Sequence, residues 1–168
     1  WVPDEPMIYD KLDPLEYLEF VAGLWGMDAQ KAEREAHALI ELLGLVPQAS
    51  TRCQGLSKGM RQKVALAGAL IHDPQLIILD EPLTGLDAAS ARQVKAVLKE
   101  RVAKGTTVIM TTHILEVAER MAERIGVIAH GRLIAEGTLA ELSAMAGQGT
   151  SNLEEIFLSL VAEESAAA

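Results

Sequence analysis

The sequence predicts an α/β fold in which parallel strands are joined by crossover helices, preceded by an all-helical part. Short apolar runs at Leu76–Asp80 and at residues 106–110 are typical of strands, and helical periodicity over Ala88–Ala103 separates them. Alternation of this kind is typical of a parallel sheet. Before residue 72 the pattern is helical. We therefore predict two parts, a helical part over residues 1–71 and an α/β part over residues 72–168.

The remaining elements follow from capping residues and turn signals. In the helical part a helix begins after each of three capping residues, Asp13, Asp28 and Ser57, and these helices run to about residues 25, 43 and 71. In the α/β part we expect a helix over residues 114–123 and a hairpin that turns at Gly131. A short helix after Thr138 and an amphipathic helix over residues 153–164 complete the prediction.

Composition excludes several classes of function. Apolar residues make up 49% of the 168 positions, which is enough for a sizeable core. The net charge of -9 argues against general nucleic-acid binding, which needs a cationic surface. A single cysteine, Cys53, cannot form an intramolecular disulfide and fits a reducing compartment. No apolar run reaches the ~18 residues of a transmembrane helix.

The segment LIILDEPLTGLD, residues 76–87, contains the strongest functional signal. Its four apolar residues without alternation predict a strand buried on both faces. Asp80 and Glu81 follow at its carboxyl end, where ligands bind in open α/β sheets. One acid could bind a divalent cation, and the other could orient or deprotonate a water molecule.

Two further segments indicate phosphate chemistry. In LSKGMRQK, residues 56–63, Ser57 caps a helix and Gly59 allows close approach to its first turn. The segment also has three cations, which oppose the helix dipole there: Lys58, Arg61 and Lys63. Either a bound anion resolves this conflict, or the helix has a solvated basic face, and the sequence leaves both open.

His113 follows the second predicted strand. We therefore expect it at the same sheet edge as Asp80 and Glu81, as a candidate contact for phosphate or water. The other three histidines lack such a setting.

These segments, in this order, resemble the ATP-binding subunit of a bacterial ABC transporter over essentially the whole chain. LSKGM resembles the signature motif, with Lys58 where many members have Gly and Met60 where many have Gln. Leu76–Asp80 resembles the Walker B strand. VPDEP, residues 2–6, falls at the Q-loop, with Asp4 at the usual glutamine. The fold implied is a partial P-loop NTPase core of RecA-like type, preceded by the family's α-helical subdomain.

The resemblance also implies roles for single residues. Asp80 would bind Mg²⁺, Glu81 would be the catalytic glutamate, and the switch histidine His113 would contact the γ-phosphate of ATP. Four signature residues would form the contact with a nucleotide held by an opposing subunit: Ser57, Lys58, Gly59 and Met60. Asp87 would lie in the D-loop at the dimer interface, and Asp4 could still bind the metal.

A transporter subunit of this kind would work with a second ATP-binding subunit and a transmembrane permease, at the inner face of the cell membrane. Its expected reaction is ATP hydrolysis coupled to transport. In the apolar helix that begins at Pro14, we expect Tyr17, Phe20 and Leu24 either to bind the permease or to pack the subdomain core. The spacing of about fifty residues between VPDEP and LSKGM disfavours one alternative, an ABC-type ATPase of DNA repair. A second alternative, a translation factor of this type, would have two cassettes and a charged linker, and the sequence shows neither. The acidic charge disfavours both. A non-catalytic interaction module is a further alternative.

One family motif has no counterpart in the sequence. The P-loop, G-x-x-x-x-G-K-[ST], requires a Gly-Lys pair, and none of the 168 residues forms one. We interpret the chain as a fragment that begins at the Q-loop, and we expect it to have no significant ATPase activity alone. Its unpaired strand edges predict self-association or domain swapping.

Overall fold

The computed structural model describes residues 1–147 and 152–167, and the α/β fold predicted from the sequence is confirmed. Its helices and strands are α1 Pro14–Leu24, α2 Ala29–Leu42, α3 Lys58–Leu70, β1 Leu76–Asp80, α4 Ala88–Ala103, β2 Thr107–Thr111, α5 Leu115–Met121, β3 Ile125–Ala129, β4 Arg132–Gly137, α6 Leu139–Met145 and α7 Leu153–Ala167. Short 3-10 turns lie at Val46–Gln48 and Cys53–Gly55. None of the described helices is both long and apolar enough to cross a membrane.

The chain forms two compact units, Trp1–Thr111 and Thr112–Ala168. The first unit contains α1 to α4 with β1 and β2, and the second contains the remaining elements. The boundary between residues 71 and 72, expected between two subdomains of the family, stays a prediction.

The sheet of the first unit is parallel, as the sequence predicts. β1 pairs with β2 in a register that joins Leu76 to Thr107 and Asp80 to Thr111. On its other edge β1 meets Val2, whose N–H donates to the Ile78 carbonyl at 2.9 Å and whose carbonyl accepts from the Asp80 N–H at 2.8 Å. The three segments are parallel, so their carboxyl ends leave the sheet at one edge.

The prediction that β1 is buried on both faces is wrong. Ile77 and Leu79 are fully buried, but the alternate side chains Leu76 and Ile78 are 51% and 39% exposed. Their neighbour across the register, Ile109, is 50% exposed. Because side chains alternate between faces, one face of the sheet packs in the core and the other is open to solvent in the described chain.

The helices of the first unit begin where the sequence predicts. Asp13, Asp28 and Ser57 each accept a hydrogen bond from a backbone N–H in the first turn, at 3.0, 3.1 and 3.3 Å. α1, α2 and α3 pack against one another. The buried side chains that form the inner face of α2 are those expected from periodicity: Ala32, Ala36, Leu39, Ile40 and, just after the helix, Leu43.

The second unit is built on the antiparallel hairpin β3–β4. His130 and Gly131 form its two-residue turn with positive φ angles of 49° and 75°, the geometry of a type I′ turn. One face of the hairpin packs with α6 and α7 around a core of Val127, Leu142, Leu153, Ile156 and Leu160. The predicted helix over residues 114–123 is shorter, since Ala122 is already extended.

Candidate functional site

The first element of the candidate site is the edge where β1 and β2 end. Asp80 and Thr111 are paired in register, and the Thr111 hydroxyl donates a hydrogen bond to Asp80 Oδ1. The hydroxyl therefore orients the carboxylate that the family resemblance assigns to Mg²⁺. Sequence reasoning did not single out Thr111, because its contact with Asp80 spans 31 residues and depends on strand register.

Glu81 follows Asp80 in a strained backbone conformation. Its φ is +47°, a region that few residues other than glycine adopt and that costs roughly 1–3 kcal/mol. The Glu81 N–H donates to the Thr111 carbonyl at 3.2 Å, so the chain turns sharply at the end of the sheet. The Thr84 hydroxyl donates to Glu81 Oε2 at 3.2 Å. Glu81 therefore lies in a turn just beyond β1, with its carboxylate hydrogen-bonded to Thr84.

The loop that follows Glu81 packs against the start of α3. A Cβ added to Gly59 would lie 3.1 Å from Leu86 Cδ2 and 3.3 Å from the Gly85 carbonyl oxygen. The sequence suggests that Gly59 allows a ligand to approach. In the structure the close neighbour is the loop of the same chain, so packing also requires a small residue at this position.

Two of the three cations at the start of α3 form ion pairs within the chain. The sequence suggested either a bound anion or a solvated basic face, and neither alternative included such pairs. Lys58 Nζ lies 3.4 Å from Asp4 Oδ1, and Arg61 Nη1 lies 2.6 Å from Asp10 Oδ1. Arg61 also donates to the Cys53 carbonyl at 3.0 Å. Carboxylates of the N-terminal segment therefore neutralise two of the three cations. Asp4, a candidate metal ligand by sequence, is engaged by Lys58.

Lys63, the third cation, is buried. Only 6% of the residue is exposed, and this burial lowers the pKa of its ammonium, while the Asp87 carboxylate acts in the opposite direction. Asp87 itself caps α4 by accepting from the Ser90 N–H at 2.8 Å and the Ser90 hydroxyl at 3.1 Å. These hydrogen bonds hold the pKa of Asp87 below its ordinary value. Its role at a dimer interface stays a prediction.

The remaining predicted site residues lie at the start of α3 and after the end of β2. Ser57 is exposed, and its Oγ accepts the N–H of half-buried Met60 as the cap of α3. His113 comes two residues after the end of β2, belongs to the second unit and is exposed. Among the described residues, no group of three or more His, Cys, Asp or Glu side chains could hold a metal ion. Mg²⁺ in nucleotide sites commonly takes one or two carboxylates together with phosphates and water, so a single aspartate such as Asp80 fits this chemistry.

A parallel sheet with acidic side chains at its carboxyl edge defines an α/β protein of the class that binds ligands at that edge, and comparisons with known proteins identify the family. The family model described as "ABC transporter" matches residues 2–84. A solved structure titled "Structure of ATP binding subunit of ABC transporter" aligns with a TM-score of 0.88 and 32% identity, covering 95% of this chain and 67% of the other.

Two relatives match a large part of the chain. The linearmycin resistance ATP-binding protein LnrL of Bacillus subtilis is 34% identical over 163 residues, which are 94% of this chain and 52% of LnrL. The Nod factor export ATP-binding protein I of Rhizobium leguminosarum bv. viciae is 46% identical over 111 residues, 66% of this chain and 36% of that protein. The chain thus spans about half the length, or less, of these relatives.

The chain belongs to the ABC transporter family, as one of its ATP-binding proteins. The resemblance inferred from the sequence is thereby confirmed. Members of this family bind ATP and are in general ATPases.

Proposed function

We propose that this chain supplies the hydrolytic part of an ATPase site in an ABC transporter. The observation that supports this best is the joint end of β1 and β2, where Asp80 is oriented by Thr111 and Glu81 follows in a strained turn. Strain at a polar residue beside a sheet edge is common at active sites. The relatives named for linearmycin resistance and Nod factor export are transport or resistance proteins, which favours an export function.

In this proposal the two acids have different tasks. Asp80 would hold Mg²⁺, which when bound would supply positive charge to the phosphate oxygens. The Glu81 carboxylate accepts a hydrogen bond from the attacking water and takes up its proton as the water oxygen bonds to the γ-phosphorus. The bond from that phosphorus to the β–γ bridging oxygen breaks, and ADP leaves with the bridging oxygen. Thr84, bonded to Glu81 Oε2, positions that carboxylate. His113 contacts the γ-phosphate.

The start of α3 serves a second nucleotide. Ser57, Lys58, Gly59 and Met60 contact the γ-phosphate of ATP that an opposing subunit holds, and Asp87 lies at the interface between the subunits. Ser57 and Lys58 are exposed, which leaves their side chains accessible to such a ligand. A dimer of ATP-binding subunits is therefore part of the proposal.

An apolar surface on the first unit would bind the transmembrane permease. Met7, Tyr9, Phe20 and Leu24 are 82%, 59%, 41% and 72% exposed. The rings of Tyr9 and Phe20 meet edge to face with centroids 5.2 Å apart. Tyr17 has a different setting, because it is half-buried against Gly68 of α3. We therefore propose that Phe20 and Leu24 bind the permease at the inner face of the membrane. Tyr17 instead packs within the helical part.

The 168 residues alone should not hydrolyse ATP. Phosphoryl transfer depends on positioning and charge stabilisation by the P-loop amides and lysine, and these residues contain no Gly-Lys pair. We expect no turnover above background from the isolated chain. Turnover that is abolished by Glu81→Gln in the isolated chain would contradict this.

The main experiment uses the complete gene product. We expect Glu81→Gln to retain ATP binding, measured by calorimetry, and to reduce turnover by at least about a hundredfold, the usual scale of general-base catalysis. Glu33→Gln, at an exposed position of α2, is the control and should leave both unchanged. Turnover that persists in Glu81→Gln would show that Glu81 is not the base.

The permease surface needs a separate test. Phe20→Asp should reduce copurification of the permease, while Val46→Asp, at a similarly apolar position that is 59% exposed outside this surface, should not. Unchanged copurification of a folded Phe20→Asp variant would exclude this surface as the docking site.

A further inference from the structure

The ion pair between Lys58 and Asp4 joins two segments that lie 54 residues apart. Asp4 follows Val2, the last point at which the N-terminal segment is bonded to β1. Lys58 is the first residue of α3. The pair therefore connects residues 3–6, which leave the edge of the sheet, with the start of α3. In the proposed function the start of α3 contacts the nucleotide.

The two partners have opposite charges beside the helix start that the proposed function assigns to a phosphate. Lys58 alone would oppose the helix dipole at the start of α3. The Asp4 carboxylate, 3.4 Å from Lys58 Nζ, offsets that charge.

Two features of the pair make it easy to exchange. The Nζ–Oδ1 distance is 3.4 Å, and the side chains are 50% and 42% exposed. The neighbouring pair of Arg61 and Asp10 is shorter, at 2.6 Å, and the Arg61 side chain is only 25% exposed. Arg61 can therefore keep residue 10 attached to α3 while Lys58 changes partner.

We propose that Lys58 and Asp4 form an exchangeable clamp that holds residues 3–6 against α3 until a nucleotide phosphate takes over Lys58. This inference rests on the proposed nucleotide contact at the start of α3. A terminal phosphate has more negative charge than one carboxylate, so it competes effectively for the same ammonium. Release of Asp4 then frees residues 3–6, which directly precede the apolar residues Met7 and Tyr9 of the proposed permease surface.

The first test measures the clamp without nucleotide. In the complete gene product, amide hydrogen exchange of peptides from residues 1–12 should be about two- to fivefold faster in Asp4→Asn and in Lys58→Gln, the range expected for an exposed pair. Raising salt from 0.05 to 0.5 M should accelerate exchange in the wild type and not in these variants. Asp4→Glu and Lys58→Arg should behave like the wild type.

A matched control removes a lysine from the first turn of a different helix. Lys31 lies in the first turn of α2, and within the described part of the chain its side chain forms no ion pair. Lys31→Gln should leave exchange in residues 1–12 unchanged. If Asp4→Asn and Lys58→Gln also leave it unchanged, there is no clamp and the proposal is wrong.

The second test adds Mg²⁺ and a non-hydrolysable ATP analogue, with binding measured by calorimetry. In the wild type, bound analogue should accelerate exchange in residues 1–12 to the level of Asp4→Asn, and the variant should show no further change. Binding without acceleration in the wild type would overturn the exchange step. Failure of the analogue to bind would instead overturn the proposed function, and the first test would still decide whether the clamp exists.

Discussion

The hydroxyl of Thr111, the last residue of β2, donates a hydrogen bond to the carboxylate of Asp80, the last residue of β1. We expect Thr111→Val to lower the free energy of unfolding by about 1 kcal/mol, because the charged acceptor loses its donor. Thr111→Ser keeps the hydroxyl and should retain most of the stability. Urea unfolding of the complete gene product measures both.

Thr107→Val is the control for this prediction. Thr107 is exposed on the same face at the start of β2, and valine favours strands there. Equal losses in Thr107→Val and Thr111→Val would show that the hydrogen bond to Asp80 contributes nothing.

The positive φ of Glu81 predicts that glycine is more stable than alanine at this position, the reverse of the order inside a helix. At φ +47° a side chain is strained, so Glu81→Gly should be more stable than Glu81→Ala by about 1 kcal/mol. At Glu33, inside α2, the order should reverse, with alanine about 1 kcal/mol more stable than glycine. Chemical denaturation of the four variants gives the comparison, and alanine superior at both positions would mean that Glu81 is not strained.

The cap at Asp87 predicts a pH-dependent stability. Hydrogen bonds from Ser90 lower the pKa of Asp87 from its ordinary value of 3.8, so the native state binds this proton more weakly than the unfolded state. The stabilisation is therefore fully present above pH values near 4 and is lost as the pH falls through the native pKa. Asp87→Ala should lower the urea midpoint at pH 7, and the difference from wild type should shrink in acid.

Asp87→Asn separates the cap from the charge. Asparagine is a good N-cap, so this variant should retain most of the stability of α4 at pH 7. A loss in Asp87→Ala that is the same at pH 7 and at pH 3 would contradict an ionised cap.

Gln62 predicts a stabilising substitution. The residue is 3% exposed, and neither Nε2 nor Oε1 has a hydrogen-bond partner in the part of the chain that the structure describes. Burial of an unsatisfied amide is costly, so Gln62→Met should raise the free energy of unfolding by about 1 kcal/mol. Gln93→Met, at an exposed position of α4, should have little effect. A marked loss of stability in Gln62→Met would mean that the amide is satisfied.

The edge of β2 predicts self-association of the 168-residue chain. Within the described ranges β2 pairs only with β1, and Ile109 on the open face is 50% exposed. Open edges and apolar faces favour pairing between copies. Size-exclusion chromatography with light scattering should show dimers or larger species that grow with concentration. Ile109→Lys should reduce them, whereas Val102→Lys, on α4, should not; a chain that stays monomeric at high concentration would contradict the prediction.

Much of the fold could be predicted because its signals are local. The bounds of β1 and α4 agree with the prediction residue for residue, since an apolar run between turn signals and a capping aspartate act over a few positions. The caps at Asp13, Asp28 and Ser57 follow for the same reason. The strand predicted over residues 106–110 is shifted by one residue, to Thr107–Thr111, because its bounds depend on pairing with β1.

The sequence by itself determined the order of elements, the positions of Asp80 and Glu81 after a strand, and the motifs of the ABC transporter family. Only the tertiary structure decided that Lys58 meets Asp4, that Thr111 orients Asp80, and that one face of β1 is open. The physical reason is the separation in sequence over which each interaction acts. Capping and strand propensity act between neighbours in sequence, whereas ion pairs and burial depend on which distant segments the fold brings together.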